Sequence, residues 1–131
     1  MATPLTGLAL GIEARCRALL ADGDAAESSY REAIARLGRT PHRPELARAR
    51  LVYGEWLHRE GRQRDAREQL RAADEMFTAL GMNAFAGRVR DELVAAGASV
   101  RSRELEEREL RIESRDDLSR ALPPQQPPVR L

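Results

Sequence analysis

Apolar residues along this chain recur at steps of three and four, the period of a helix with one buried face. Leu8, Ile12, Cys16 (or Arg15) and Leu19 mark the first stretch, which Thr3 as N-cap and Pro4 at the first helical position can start. Ala21-Asp22-Gly23-Asp24 reads as a turn, with Asp24 able to cap a second helix through Tyr30, Ala33, Ile34 and Leu37. Gly38 is the expected stop of that helix, in the left-handed conformation. Thr40-Pro41-His42-Arg43-Pro44 reads as a rigid connection, because residues before proline disfavour helix. A third helix begins near Pro44-Glu45, carries Leu46, Ala49, Tyr53, Trp56 and Leu57, and ends at Gly61. A fourth, from Arg62 to Leu80, places Ala66, Leu70, Ala73, Met76, Phe77 and Leu80 on one face, and Gly81 stops it. Asn83 can cap a fifth, running through Phe85, Val89 and Leu93 up to Gly97.

The pattern changes after Gly97. Leu105, Leu110, Ile112 and Leu118 lie among many charges and form no clean stripe, as in a frayed, solvated helix. Glu104-Leu105-Glu106-Glu107-Arg108-Glu109 is a charge run of the kind that solvates a helix face. Pro123-Pro124-Gln125-Gln126-Pro127-Pro128 cannot build a core and reads as a disordered tail. The sequence thus predicts a packed domain over 4–97 and a charged helix or linker with a proline-rich tail over 98–131.

One motif occurs twice, 40 residues apart. Ala26-x3-Tyr30-x2-Ala33 is followed by Ala66-x3-Leu70-x2-Ala73, and Leu37 and Phe77 keep the same separation. Small residues one helical step from a large one let two helices pack closely. A repeat of about 33 to 47 residues marks stacked helical hairpins. The expected fold is therefore all-α: antiparallel hairpins stacked as a short tetratricopeptide-like array of about five helices. Ala26, Ala33, Ala66 and Ala73 are the expected points of close approach, with Tyr30 and Leu70 filling the space between hairpins.

Composition narrows the chemistry. All 22 basic residues are arginine. The absence of lysine excludes a Schiff base, a P-loop lysine and a lysine general base within the chain. A net charge of +1 leaves no basic excess to drive nucleic-acid binding, and Arg is interleaved with Glu and Asp as on solvated helix faces. The single cysteine cannot form an internal disulfide, which points to a reducing, cytoplasmic setting. No apolar run is long enough to span a membrane. Cys16 on its stripe reads as a small buried hydrophobe. His42 and His58 have no companions at metal-ligand spacing, and His58 sits where it meets the C-terminal dipole of its helix. No metal, cofactor or catalytic constellation is expected, so the chain reads as a non-enzyme.

The second copy resembles a tetratricopeptide repeat: Gly54, Leu57 and the turn glycine Gly61 precede Ala66, Leu70 and Ala73 at the pattern's spacing. In the first copy Ala14 takes the small position, Arg17 falls where a large apolar residue belongs, and the turn glycine is displaced to Gly23. The strings Ala14-Arg15-Cys16-Arg17-Ala18-Leu19-Leu20, Gly23-Asp24-Ala25-Ala26-Glu27 and Leu51-Val52-Tyr53-Gly54-Glu55-Trp56-Leu57 carry a closer resemblance. They are similar to the helical-repeat region of large LuxR-type, MalT-like ATP-binding transcriptional regulators of bacteria, over about residues 8–97. The resemblance implies a region lying between an ATPase and a DNA-binding domain, sensing inducers and mediating self-association. No Walker A motif is present, and the charged residues after Gly97 do not follow a helix-turn-helix pattern. The chain is thus expected to be such an interaction segment without its partner domains, a fragment of a larger regulator. Protein contact or self-association would run through the hairpins, with Trp56, Arg59 and Arg62 as candidate contacts; Tyr53 and Trp56 also read as anchors of the hairpin core. The alternative is a small stand-alone regulator that binds DNA through the cluster Arg59, Arg62, Arg64 and Arg67.

Overall fold

The computed structural model describes the backbone of residues 4–121, and side chains throughout that range except at 4, 98–100 and 116–121. The fold is all-α. Five helices follow one another: α1 (Pro4–Leu20), α2 (Gly23–Gly38), α3 (Arg43–Arg59), α4 (Gln63–Ala79) and α5 (Asn83–Ala121). The chain divides into two units, Met1–Gly97 and Ala98–Leu131. The expected cap at Thr3 and the tail Pro123 to Pro128 lie outside the described residues.

In the first unit, neighbouring helices pair as antiparallel hairpins, α1 with α2 and α3 with α4, and α2 packs on α3. Hairpin one closes on small residues. Gly7, Gly11, Ala14 and Ala18 recur at steps of four, three and four along α1 and turn towards α2 and α3. A Cβ on Gly11 would lie 2.6 Å from Leu37 Cγ, and one on Gly7 would lie 3.2 Å from Thr40 Cγ2. Hairpin two closes the same way at Gly54, where a Cβ would meet Leu70 Cγ at 2.7 Å. These helices approach so closely because the missing Cβ atoms leave room for the leucine crowns.

Where α3 and α4 stop, backbone geometry sets the turn. Gly61 and Gly81 adopt φ of 79° and 71°, conformations that a Cβ would strain. Arg62 N–H reaches back to Leu57 O at 2.9 Å and Gly61 N–H to His58 O at 3.0 Å. Met82 to Phe77 and Gly81 to Thr78 repeat that pair of bonds after α4. Both are Schellman closures that satisfy carbonyls left free at the helix end. The expected left-handed stop at Gly38 is not found. Gly38 lies inside α2, and Arg39 ends the helix with φ of −89°. Thr40 takes over the capping, its Oγ1 donating to Leu37 O at 2.8 Å and accepting from His42 N–H. Asp22, not Asp24, stands at the N-cap of α2, without a side-chain cap bond. Asp24 sits in the first turn, where its charge meets the helix dipole favourably.

The core has three connected parts. Between α2 and α3, Tyr30, Tyr53 and Trp56 form an aromatic stack with ring centroids 5.4, 5.7 and 6.2 Å apart. Under α1, Ala14, Ala33, Leu37, Leu46 and Ala49 pack together. Towards α5, Phe77 stacks on Phe85 at 5.0 Å, and Ala86 and Val89 close over Ala47, Leu51 and Leu70. α5 continues as helix past Gly97 instead of stopping there. In the second unit, residues 101–115 are helical and every side chain is exposed, Leu105, Leu110 and Ile112 included. Leu118 carries no described side chain.

Candidate interaction surfaces

The repeated motif occupies equivalent places in the two hairpins. Ala26, Ala33, Ala66, Leu70 and Ala73 are wholly buried, and Tyr30 is 1% exposed. Leu57 is wholly buried and Gly54 lies against Leu70. These residues hold the hairpins together and leave other side chains to face outward.

Between α2 and α4 runs an open groove of about 400 Å³, floored by Tyr53 and Leu57 of α3. Arg31, Ile34 and Ala35 form one wall, and Arg62, Asp65, Glu68 and Gln69 the other. A polar network crosses its end. Arg31 Nε donates to Tyr53 Oη at 3.3 Å, and Tyr53 Oη donates to Glu27 at 3.3 Å. Arg62, just before α4, bridges Glu27 on α2 and Asp65 on α4. Those hydrogen bonds, to Asp65 first and then Glu27, push the Arg62 pKa up and keep its guanidinium charged. The groove therefore offers the accessible apolar wall of Ile34 and Ala35 beside two guanidiniums, each already engaged with a carboxylate.

Trp56, Arg59 and Arg62 differ in exposure. Trp56 is 8% exposed and belongs to the aromatic stack. Arg59 is exposed in the last turn of α3, and Arg62 lines the groove. Arg64, Arg67 and Arg71 share the outer face of α4 with Glu68 and Glu75. Of the expected arginine cluster, Arg62 lines the groove while Arg64 and Arg67 lie on the outer face of α4, interleaved with acids. His58 Nδ1 donates to Gln63 Oε1 at 2.6 Å, while Gln63 Nε2 donates to His58 O, so the pair clamps the α3–α4 turn. No group of potential metal ligands occurs among the described residues.

α1 departs most from expectation. The apolar stripe read from the sequence packs only in part: Leu8 lies against the core under α1 and Ile12 is half-buried, while the rest of the stripe faces outward. Cys16 is exposed, not buried, and Leu19 is 55% exposed. Leu5 is 73% exposed and Leu20 90%. The buried face is instead the small-residue face opposite, since Gly11 and Ala14 admit a closer backbone approach than leucine would. A helix apolar on both faces is ordinarily covered on both.

A third feature joins α3 to α5. Glu55 accepts from Arg88 at 2.5 Å and also faces Glu92. Burial, then the Glu55 charge and their mutual hydrogen bond, raises the Glu92 pKa against the lowering pull of His58 and Arg88.

The groove residues Arg31, Asp65, Glu68 and Gln69 were not singled out in the sequence. The available signal was their offset from the buried motif: each lies on the flank of an alanine or of Tyr30 or Leu70. No family model, curated protein or solved structure matches the chain. No described helix is long and apolar enough to cross a membrane.

Proposed function

We propose that this chain is a non-catalytic, cytoplasmic protein-interaction segment, of the helical-repeat kind that LuxR-type bacterial regulators carry between their ATPase and DNA-binding domains. The reading rests on one observation above the others. The same motif positions are buried in two successive hairpins, which frees the α2–α4 groove and the outer face of α1 for contact with another protein. Shape and apolar area do the work in this reading. The chemistry offered is recognition by paired guanidiniums and carboxylates beside the apolar Ile34 and Ala35.

Direct DNA binding finds less support, because the arginines that would carry it are engaged with Glu27 and Asp65 or alternate with Glu68 and Glu75. Calorimetric titration against isolated ATPase and DNA-binding segments of LuxR-type regulators tests the reading. Saturable binding to one of them supports it, and the absence of heat from any at about 100 µM counts against it. A mobility shift with duplex DNA that steepens as salt is lowered would favour the DNA-binding alternative.

A further inference from the structure

We propose that the outer face of α1 is a self-association surface, on which a second copy of this chain docks antiparallel about a two-fold axis at Ile12. The proposal rests on the reading that the chain works through protein contacts, and it names one of the surfaces. Leu5, Ala9, Ile12, Cys16 and Leu19 follow one another at steps of four, three, four and three, the spacing of a coiled-coil seam. Ile12 is half-buried and the other four are exposed. The stripe lies diametrically opposite Gly7, Gly11, Ala14 and Ala18, so it is free while the hairpin is closed.

The order of sizes identifies the occupant. Large, small, large, small, large reads the same from either end. A two-fold contact needs a surface complementary to itself. With the axis at Ile12, Leu5 of one copy meets Leu19 of the other, Ile12 meets its own counterpart, and Ala9 meets Cys16. The two small layers let the helices approach closely on either side of the axis.

Charge does not oppose the pairing. The exposed charged residues of α1 are Glu13 and Arg17, already paired with each other at 3.2 Å, and Arg17 also reaches Glu32 at 2.9 Å. Each copy therefore brings a compensated flank. Two helices of 17 residues facing along such a seam bury on the order of 1,000 Å² in total, the lower bound for a specific interface. The expected product is a reversible dimer with a Kd of about 100 µM.

Sedimentation of the full chain from about 5 µM to about 1 mM tests this, alongside Leu5→Glu/Leu19→Glu, whose positions are exposed in the single copy. Wild type should pass from monomer to dimer, and the double variant should weaken dimerisation at least about 100-fold with unchanged helical circular dichroism. Ala9→Cys supplies a second readout. Its new thiol would face the partner's Cys16 and cross-link under a mild thiol oxidant, whereas two wild-type Cys16 residues lie about 12 Å apart along the seam and would not. A wild type that stays monomeric throughout, a double variant that dimerises like wild type, or an Ala9→Cys chain that fails to cross-link at dimer-forming concentration overturns the proposal. None of these results bears on whether the α2–α4 groove binds a regulator segment, so the broader reading fails or stands separately.

Discussion

Adding one methyl group at Gly54 should destabilise the protein, although glycine is ordinarily the weaker helix residue. Gly54 is buried mid-way along α3, and a Cβ there would lie 2.7 Å from Leu70 Cγ and 2.8 Å from Leu70 Cδ2. Ordinary contact begins at 3.4 Å, so the leucine has to retreat by roughly 0.7 Å. Leu70 is wholly buried among Leu51, Ala73 and Phe77, so it can retreat only against packed neighbours. Overpacking of this kind costs about 1–3 kcal/mol. Replacing glycine by alanine in a helix returns about 0.8–1 kcal/mol. Gly54→Ala should therefore lose about 1 kcal/mol net, a fall in Tm of roughly 4–8 °C for a unit of this size. Gly87, also helical, meets nothing within 4 Å, so Gly87→Ala should instead gain about 0.5–1 kcal/mol.

Thermal and urea unfolding followed by circular dichroism report both variants. The test lies in their opposite signs, which helix propensity alone cannot give. Leu70→Ala alone should cost about 2–5 kcal/mol, but in that background Gly54→Ala should turn neutral or stabilising, because the clashing atoms are gone. A Gly54→Ala protein as stabilised as Gly87→Ala would refute the close approach of α3 and α4 at this register.

The remaining expectations concern titration, packing and exposure. Glu92 has a pKa raised above its ordinary 4.5 in the folded state, so its contribution to stability is full below that value and is lost as pH rises through the folded pKa. Glu92→Gln should remove that loss, raising Tm at pH 7 more than at pH 4; an equal change at both would contradict it. Burial raises the Tyr30 hydroxyl pKa above 10, which by the same linkage weakens the fold as Tyr30 ionises in alkali. Tyr30→Phe should flatten the decline in Tm above about pH 10. Phe77→Ala, at a wholly buried ring stacked on Phe85, should cost about 3–5 kcal/mol, read as a lowered urea midpoint. Cys16 should react with a thiol reagent in the native protein at micromolar concentration as fast as in urea; strong native protection would contradict its exposure.

Helices and hairpins were legible in the sequence because their signals are local. Gly61 and Gly81 punctuate the chain where positive φ is required, and the 40-residue offset between Tyr30 and Leu70 or Leu37 and Phe77 marks equivalent core positions. α1 was misread at Cys16 and Leu19, for a physical reason. Hydrophobic periodicity weighs side-chain size, so Leu8, Ile12, Cys16 and Leu19 outvoted Gly7, Gly11, Ala14 and Ala18. Packing of α1 on α2 is governed by backbone approach, in which the smallest side chains win. Gly38 misled because a glycine after an apolar run can stop a helix either by positive φ or by handing the turn to Thr40, and only tertiary contact decides. The groove was not legible, since Arg31 and Arg62 are 31 residues apart and meet through Glu27 only once α3 brings the start of α4 to α2.

Backbone amide NMR of the labelled chain, titrated with regulator segments that bind calorimetrically, measures the central claim residue by residue. Shifts should cluster on Arg31, Ile34, Tyr53, Arg62, Asp65 and Gln69 around the groove, with the buried Ala26, Ala33, Ala66 and Ala73 unmoved. Shifts centred instead on the outer face of α4 at Arg64, Arg67 and Arg71, or no shift with any segment, would contradict it.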